Sequence, residues 1–349
     1  MGSISGVHPP LWRLVLVVAG GVITHTTFGA TYSYGNFAPY IVSYMRYKKV
    51  EPDLQYNESV WIFAMVLLGQ GTTGFIGGML ERLIGPRLTT LTGSWIMSGG
   101  VLLTYFSVSH SFASCLITYG LIFGFGVGLA YPIPMGCAMR WMPHRKGFVA
   151  GFVVAGYGGG AFIFNQVITG FINPRNLSPD IDLNGEQIVS LQAFGQTFIQ
   201  DDQFHSLVGA FASLCNAGGR ILWGAIADKT SFRIAQLAIT TSLTCLFTTF
   251  ILTEYAGKPL FFIWVCLIFL TFSGSFSTFP SYTMRCFGER YYAINYGLLF
   301  TSQAMTAIIG SLLSETLLPL IGWMGLFFVA AVISACAIVI AYKFKETPS

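Results

Sequence analysis

Of the 18 Lys and Arg in this chain of 349 residues, Arg220 alone lies well inside an apolar run, the stretch 204–227. A cation at that depth in a bilayer costs about 2.5–3.5 kcal/mol on insertion scales, so it is kept where it has work to do. A guanidinium presents parallel N–H donors that match the two oxygens of a carboxylate. The chemistry this suggests is the holding of an anion. The competing reading is a structural arginine that pairs inside a helical bundle or snorkels to its surface. Bond-making chemistry has no support: there is no HExxH, no GxSxG, no GxxxxGK phosphate loop and no clustered His/Asp set. No cofactor or metal is expected, and the protein is not expected to be an enzyme.

A second group of ionisable residues sits at the ends of apolar runs. In "WGAIADKTSFR" (223–233), Asp228 is followed by Lys229 and Arg233. In "GMLERLIGPR" (78–87), Glu81 stands beside Arg82. "MRWMPHR" (139–145) places Arg140 and Arg145 five apart, and "MRCFGER" (284–290) does the same with Arg285 and Arg290. An acid at one helix end is able to pair with bases on a neighbouring helix and so latch a gate; the plainer alternative is a solvated turn of mixed charge. Tyr32, Tyr34, Gln70, Tyr131 and Phe276 combine rings or amides with polar tips and are candidates to line a small pocket. For the rings, packing or contact with lipid is the competing reading.

The elements that must position these residues follow from composition. The chain is 54% hydrophobic and 9% charged, with 31 Phe, against about 25% charged for a soluble domain. Ten apolar segments stand out, near 11–43, 57–80, 88–109, 112–139, 147–173, 204–227, 234–253, 259–284, 291–319 and 321–342. Each is expected to be a membrane-spanning helix, because lipid leaves backbone groups no partner outside the helix itself. Gly120, Gly124 and Gly128 repeat every four residues, as do Gly147 and Gly151, a spacing that lets helix backbones touch. The seven cysteines lie in or beside apolar runs without a CxxC pair and read as buried thiols.

Lys and Arg set orientation. With the N-terminus cytoplasmic, the inner connections and termini carry twelve of them and the outer connections five. Both termini are therefore expected in the cytoplasm, with the plasma membrane as the expected site. The net charge of +4 is too small to suggest a nucleic-acid partner. The expected organisation is an N-terminal bundle over 1–173, an acidic outer linker over 174–203 and a C-terminal bundle over 204–349. A weak apolar run at 187–199 reads as a surface helix. The sequons at Asn57 and Asn176 fall on the outer side. The paired landmarks in the two halves suggest a duplicated transporter fold.

Several of these stretches resemble a known family. The loop "WGAIADKTSFR" is similar to the G-x-x-x-D-R/K-x-x-x-R loop of the major facilitator superfamily. "RWMPHRKGFVAGFVVAGYGGG" (140–160) resembles the oxalate/formate antiporter and monocarboxylate transporter branch, as do "YSYGNFAP" (32–39) and "FPSYTMRCFGERYYAINYG" (279–297). The resemblance implies an all-α membrane fold of two bundles that rock about a midplane site. It also implies secondary transport of a small organic anion, with Arg220 at the place of the family's carboxylate-binding arginine. The family has twelve helices, whereas about ten are counted here. By landmark the sixth and seventh look absent, so a shortened, non-transporting partner, regulator or inactive variant is the alternative function. The antiporter's eleventh-helix lysine matches Gln303, and the monocarboxylate transporters' lysine and aspartate match Asn36 and Asn216. One cation is left, which suits a monocarboxylate better than a dianion. His25 and Glu315 remain as ionisable candidates for a proton carrier. The partners expected are the anion and the bilayer, with no oligomeric state specified.

Overall fold

The computed structural model describes residues 11–172, 198–199 and 202–346. Its helices are α1 (Leu11–Phe28), α2 (Tyr34–Tyr47), α3 (Val60–Ser107), α4 (Phe112–Cys115), α5 (Phe123–Ala130), α6 (Pro132–Trp141) and α7 (Lys146–Ile172) in the first part of the chain. The second part contains α8 (Asp202–Lys229), α9 (Phe232–Thr249), α10 (Leu252–Ala256), α11 (Lys258–Phe272) and α12 (Ser275–Lys343). The expected linker over 174–203 and its run at 187–199 lie almost wholly outside the described residues, as does Asn176.

The long helices are several rods joined end to end. Gly85 has φ 83° inside α3 and is followed by Pro86; Gly288 and Gly322 have φ 69° and 65° inside α12. A side chain at any of the three would meet nothing within 4 Å, so glycine serves here for its left-handed backbone and not for space. A single residue turns the chain, with no loop between rods. Divided at these points, the described residues make ten crossings, which correspond to the ten apolar segments. The first crossing is α1 and α2 joined through a 3-10 turn, Gly29–Ser33. The fourth runs from α4 through a π-turn (Leu116–Ile122) to α5 and α6.

The first five crossings pack on a core of large side chains, with Phe28, Val42, Ile62, Val66, Phe123 and Met135 fully buried. Glycine sets their spacing. A Cβ on Gly124 would run into the backbone of Val66, and one on Gly128 into that of Gln70, so α5 and the first rod of α3 touch backbone to backbone.

The same device joins the two halves. Gly147 and Gly151 of α7 lie against Gly224 and Arg220 of α8. Gly74 and Gly78 of α3 lie against Gly297 and Ile294 of α12. Both seams sit in the halves of these helices nearest the basic connections, and they close that end of the molecule. Elsewhere the chain shows its apolar side chains outward, most of all along 323–343 (Met324, Phe328, Ile333, Ile340), as a lipid-facing surface does.

A cleft of about 930 Å³ opens on the flank of the first bundle, near its acidic end, between α2, the second rod of α3 and the end of α7; Phe37, Ile41, Val101, Phe164 and Ile168 are in its wall. Arg220 is not among its lining residues. An unfilled apolar flank is what a bundle short of one packing helix leaves behind.

Glycine at a backbone contact and glycine facing outward differ sharply in what they tolerate. Gly124→Leu is expected to cost about 1–3 kcal/mol through overpacking. Gly99→Leu, where a side chain meets nothing within 4 Å, is expected to leave stability unchanged. Thermal denaturation of the purified variants in detergent checks both.

Candidate functional site

Arg220 lies two and a half turns before the end of α8 and is 0% exposed. Its placement follows from the seam: Gly151 of α7 packs on the Arg220 backbone, so the side chain starts at the boundary of the two bundles. Nη1 donates to the carbonyl of Val154, in the opposite bundle, at 2.8 Å. The guanidinium carbon stands 4.9 Å from the ring centre of Phe276 and 5.4 Å from that of Tyr157, so cation–π contact holds both of its faces. Nε and Nη2 have no protein partner although both are buried. These two atoms form one edge of the guanidinium fork, with their N–H bonds nearly parallel, and that edge is the one a carboxylate fits. A buried, unsatisfied donor is expensive, and here two belong to the same cation.

Around this edge runs a chain of rings drawn from both bundles. Tyr157 meets Tyr32 at 5.0 Å and Tyr131 at 5.5 Å between centres; Tyr131 meets His25 at 5.0 Å and Phe300 at 4.9 Å. Tyr296 and Tyr292 continue the series along α12. Asn216, one turn before Arg220, is buried against Gly158 and its Oδ1 is unpartnered. The arrangement is a buried cation set among aromatic rings of both bundles. It is chemically equipped to bind and orient a small planar anion and carries no nucleophile aimed at one.

The candidates from the sequence are distributed unevenly. Arg220, Phe276, Tyr131 and Tyr32 come together. Tyr34 does not join them: it turns into the first bundle against Phe37, Phe63 and Tyr119, and its hydroxyl donates to the carbonyl of Ser59. The physical reason is the 3-10 turn before it, which resets the face on which each tyrosine emerges. Gln70 is buried with Oε1 unpartnered, but no described contact ties it to Arg220. Gln303 is half-buried beside Ala304, which packs on Gly71. The side chains of Asn36 and Glu315 lie outside the described set. Tyr157 was not singled out from the sequence. Its signal was a lone polar-tipped ring in the run "GYGGG", where every neighbour on the seam is glycine.

At the basic end, Asp228 makes three bonds, two of them across the bundles. Oδ1 accepts from Gly147 N at 2.8 Å and from Arg285 Nη2 at 2.7 Å, and Oδ2 accepts from Phe148 N at 2.7 Å. The carboxylate at the end of α8 thus caps the first turn of α7, where free N–H groups and the helix dipole favour negative charge. Any side chain at Gly147 would collide with Gly224 and Asp228. On the other seam Arg140 donates from Nη2 to Glu81 at 3.0 Å and to the carbonyl of Glu289 at 3.4 Å. Arg82 lies over the Tyr291 ring at 5.2 Å. Burial pushes the Glu81 carboxyl above the ordinary carboxylate range, and the opposing pull of Arg140 only partly offsets it. The fold therefore favours the protonated acid, and that contribution is lost as pH rises through the raised value. Arg145 and Lys229 are exposed, so of the expected gating residues they stand in solvent beside the latch and not in it.

Comparison with known proteins agrees with this fold. The sequence profile of the family described as Major Facilitator Superfamily matches residues 23–177 and 187–349. Apicoplast pyruvate carrier 1 of Toxoplasma gondii is 24% identical, covering 90% of this chain and 85% of the relative. That alignment runs over 470 residues, longer than this chain, so the relative carries stretches absent here. The oxalate:formate antiporter of Oxalobacter formigenes is 25% identical over 76% of this chain and 77% of its own length. Among solved structures, the proton:xylose symporter XylE superposes with a TM-score of 0.70 at 12% identity, over 95% of this chain and 96% of that one.

Removing the cross-bundle cap tests the latch. Asp228→Ala is expected to remove an N-cap worth about 0.5–2 kcal/mol together with the Arg285 pair. Spin labels at His144→Cys and Thr230→Cys, in a cysteine-free background, should give one short distance in the parent and an added longer one in Asp228→Ala.

Proposed function

The chain belongs to the Major Facilitator Superfamily, and we propose that it is a secondary carrier for a small organic anion, with Arg220 binding the carboxylate. One observation carries this reading: among the described residues the Nε–Nη2 edge of a fully buried guanidinium has no hydrogen-bond partner, and the cation lies among rings of both bundles. The names of the relatives, a pyruvate carrier and an oxalate:formate antiporter, support an anionic cargo. The charge of the chamber favours a monocarboxylate, because a single fixed cation balances a single negative charge. Tyr32, Tyr131, Tyr157 and Phe276 would shape the pocket, and Asn216 would offer it an amide.

In this mechanism the two bundles rock about Arg220. Glu81, Arg140, Asp228 and Arg285 hold the basic end shut, and the Lys/Arg bias assigns that end, with both termini, to the cytoplasm. Opening there breaks the Asp228 cap, the bond from Arg140 to the carbonyl of Glu289 and the bond from Arg220 to Val154. The last of these gives the substrate its leverage. An anion on the free edge of Arg220 compensates the cation when the carbonyl of the opposite bundle withdraws. A second reading is favoured by the open flank of the first bundle: a shortened protein that binds the anion without moving it. Binding with no counterflow from preloaded vesicles is the result that separates the two.

For proteoliposomes loaded with the purified protein, Arg220→Ala is expected to lower monocarboxylate uptake by about 100-fold, as loss of a buried charge-assisted pair implies. Arg220→Lys should recover only part of it, since the fork is lost. Arg87→Ala, at an exposed position, should match the parent. Equal uptake in all of these proteins would sink the assignment.

A further inference from the structure

We propose that Cys215 and Cys266 form a thiol pair within the hydrocarbon layer, which an organic hydroperoxide of the lipid phase converts to a disulfide. The bond staples the helix that bears Arg220 to its neighbour in the second bundle. The inference is independent of what Arg220 binds.

The register of two helices brings the thiols together. Three contacts along the seam of α8 and α11 join residues at one and the same sequence separation, so the two helices run parallel. Nearest the acidic end, the rings of Phe211 and Phe262 meet at 5.4 Å between centres. Two turns on, a Cβ on Gly219 would strike the carbonyl of Leu270. One turn further, a Cβ on Gly274, just past α11, would strike the ring of Trp223. Contacts on one helix face recur every four residues. The position left in this series is the pair Cys215 and Cys266, one turn after the phenylalanines and one turn before Gly219. The two thiols interact with each other. Gly219 keeps the backbones close beside them, as a disulfide requires, since its Cα atoms stand about 4.4–6.8 Å apart.

The position selects the oxidant. Cys215 lies midway along α8, and both thiols are half-buried. Their neighbours on the outward side are apolar: Leu214 is 47% exposed and Leu267 is 38% exposed. A reagent therefore reaches the pair through hydrocarbon. A peroxidised acyl chain is at the right depth, whereas the polar thiols that keep cytosolic cysteines reduced stay in water.

The chemistry proceeds in two displacements. One thiol gives up its proton and its sulfur attacks the terminal oxygen of the hydroperoxide. The O–O bond breaks, the proton passes to the departing alkoxide, an alcohol leaves, and the cysteine becomes a sulfenic acid. The second thiol then attacks that sulfur. The S–S bond forms, and the hydroxyl departs with the second proton as water. Two thiols are oxidised, and one hydroperoxide is reduced to an alcohol and water. Reactants and products are neutral, so the apolar site carries no lasting charge.

The second bundle has a use for such a staple. Its own apolar cluster has Ile199, Val208, Phe250 and Phe261 as its buried members among the described residues. The link lies within one bundle, so it stiffens the half that bears Arg220 without tying the halves together.

The test treats the purified protein in liposomes with cumene hydroperoxide, followed by digestion without reductant and mass spectrometry. The peptides bearing Cys215 and Cys266 should appear joined, with the loss of two hydrogens. The oxidised parent should melt several degrees higher, and dithiothreitol should reverse the rise. Cys215→Ser and Cys266→Ser should show no rise, and Cys336→Ser, at an exposed cysteine, should behave as the parent. Both thiols left intact, oxidation of either to sulfinic acid without joining, or a rise kept in Cys215→Ser overturns the proposal. Should the serine variants not fold, the parent is treated with phenylarsine oxide, which bridges two adjacent thiols. One arsenical held by the Cys215 and Cys266 peptides together supports the pairing, and none overturns it.

Discussion

The structure turns on one unsatisfied cation. Arg220 sits where neither water nor lipid headgroups reach it, and a guanidinium in such a place must be paid for by its neighbours. Two aromatic faces and one carbonyl do part of this. The carbonyl belongs to Val154, in the bundle opposite to the one that bears the arginine. The residue that defines the chamber is therefore also a bond between the parts that would have to separate. On the proposed function, binding and movement would act on the same atoms, with no need for a signal carried across the protein.

The seams around the cation are suited to parting. Within the first bundle, large side chains such as Phe28, Phe123 and Ile62 interdigitate, and their separation would open cavities. Between the bundles the contacts are glycine on backbone: Gly147 on Gly224, Gly151 on Arg220, Gly74 on Gly297. Backbones that meet without interlocking side chains slide and separate with little to unpack. What holds the seams at the basic end is polar and specific, the Asp228 carboxylate on the first turn of α7 and the Arg140 guanidinium on the carbonyl of Glu289. Bonds of this type break over a short distance. Glu81 belongs to the same bundle as Arg140 and pairs with it there, beside the bond that Arg140 makes across the seam.

The flank of the first bundle shows what shortening does to such a fold. The lining of the apolar cleft beside α2, the second rod of α3 and α7 includes none of Arg220, Asp228, Arg140 and Glu81. Its position leaves the Arg220 site, the Asp228 cap and the Arg140 pair intact. The geometry of binding and latching thus survives in ten crossings, because those residues belong to helices that the chain retains.

Much of this was legible in the order of residues. Ten apolar runs nearly free of charge had to become ten crossings, because a bilayer leaves the backbone no other solution. Arg220 announced itself as the one cation among them. Asp228, Arg285, Arg140 and Glu81 were readable as a latch, since charges of both signs recur at the ends of runs. Direction was not legible. Tyr32 reaches the chamber and Tyr34 does not, because a 3-10 turn at Gly29–Ser33 breaks the helical period by which faces are read. Arg145 and Lys229 lie next to the latch in sequence yet point into solvent, since neighbours on a helix diverge by about 100°. That Asp228 caps a helix 80 residues earlier, and that Arg220 is bonded to one carbonyl with a whole edge of its fork left over, depended on how closely glycine let the two bundles approach. Such a distance is a property of packing, and no spacing along the chain encodes it.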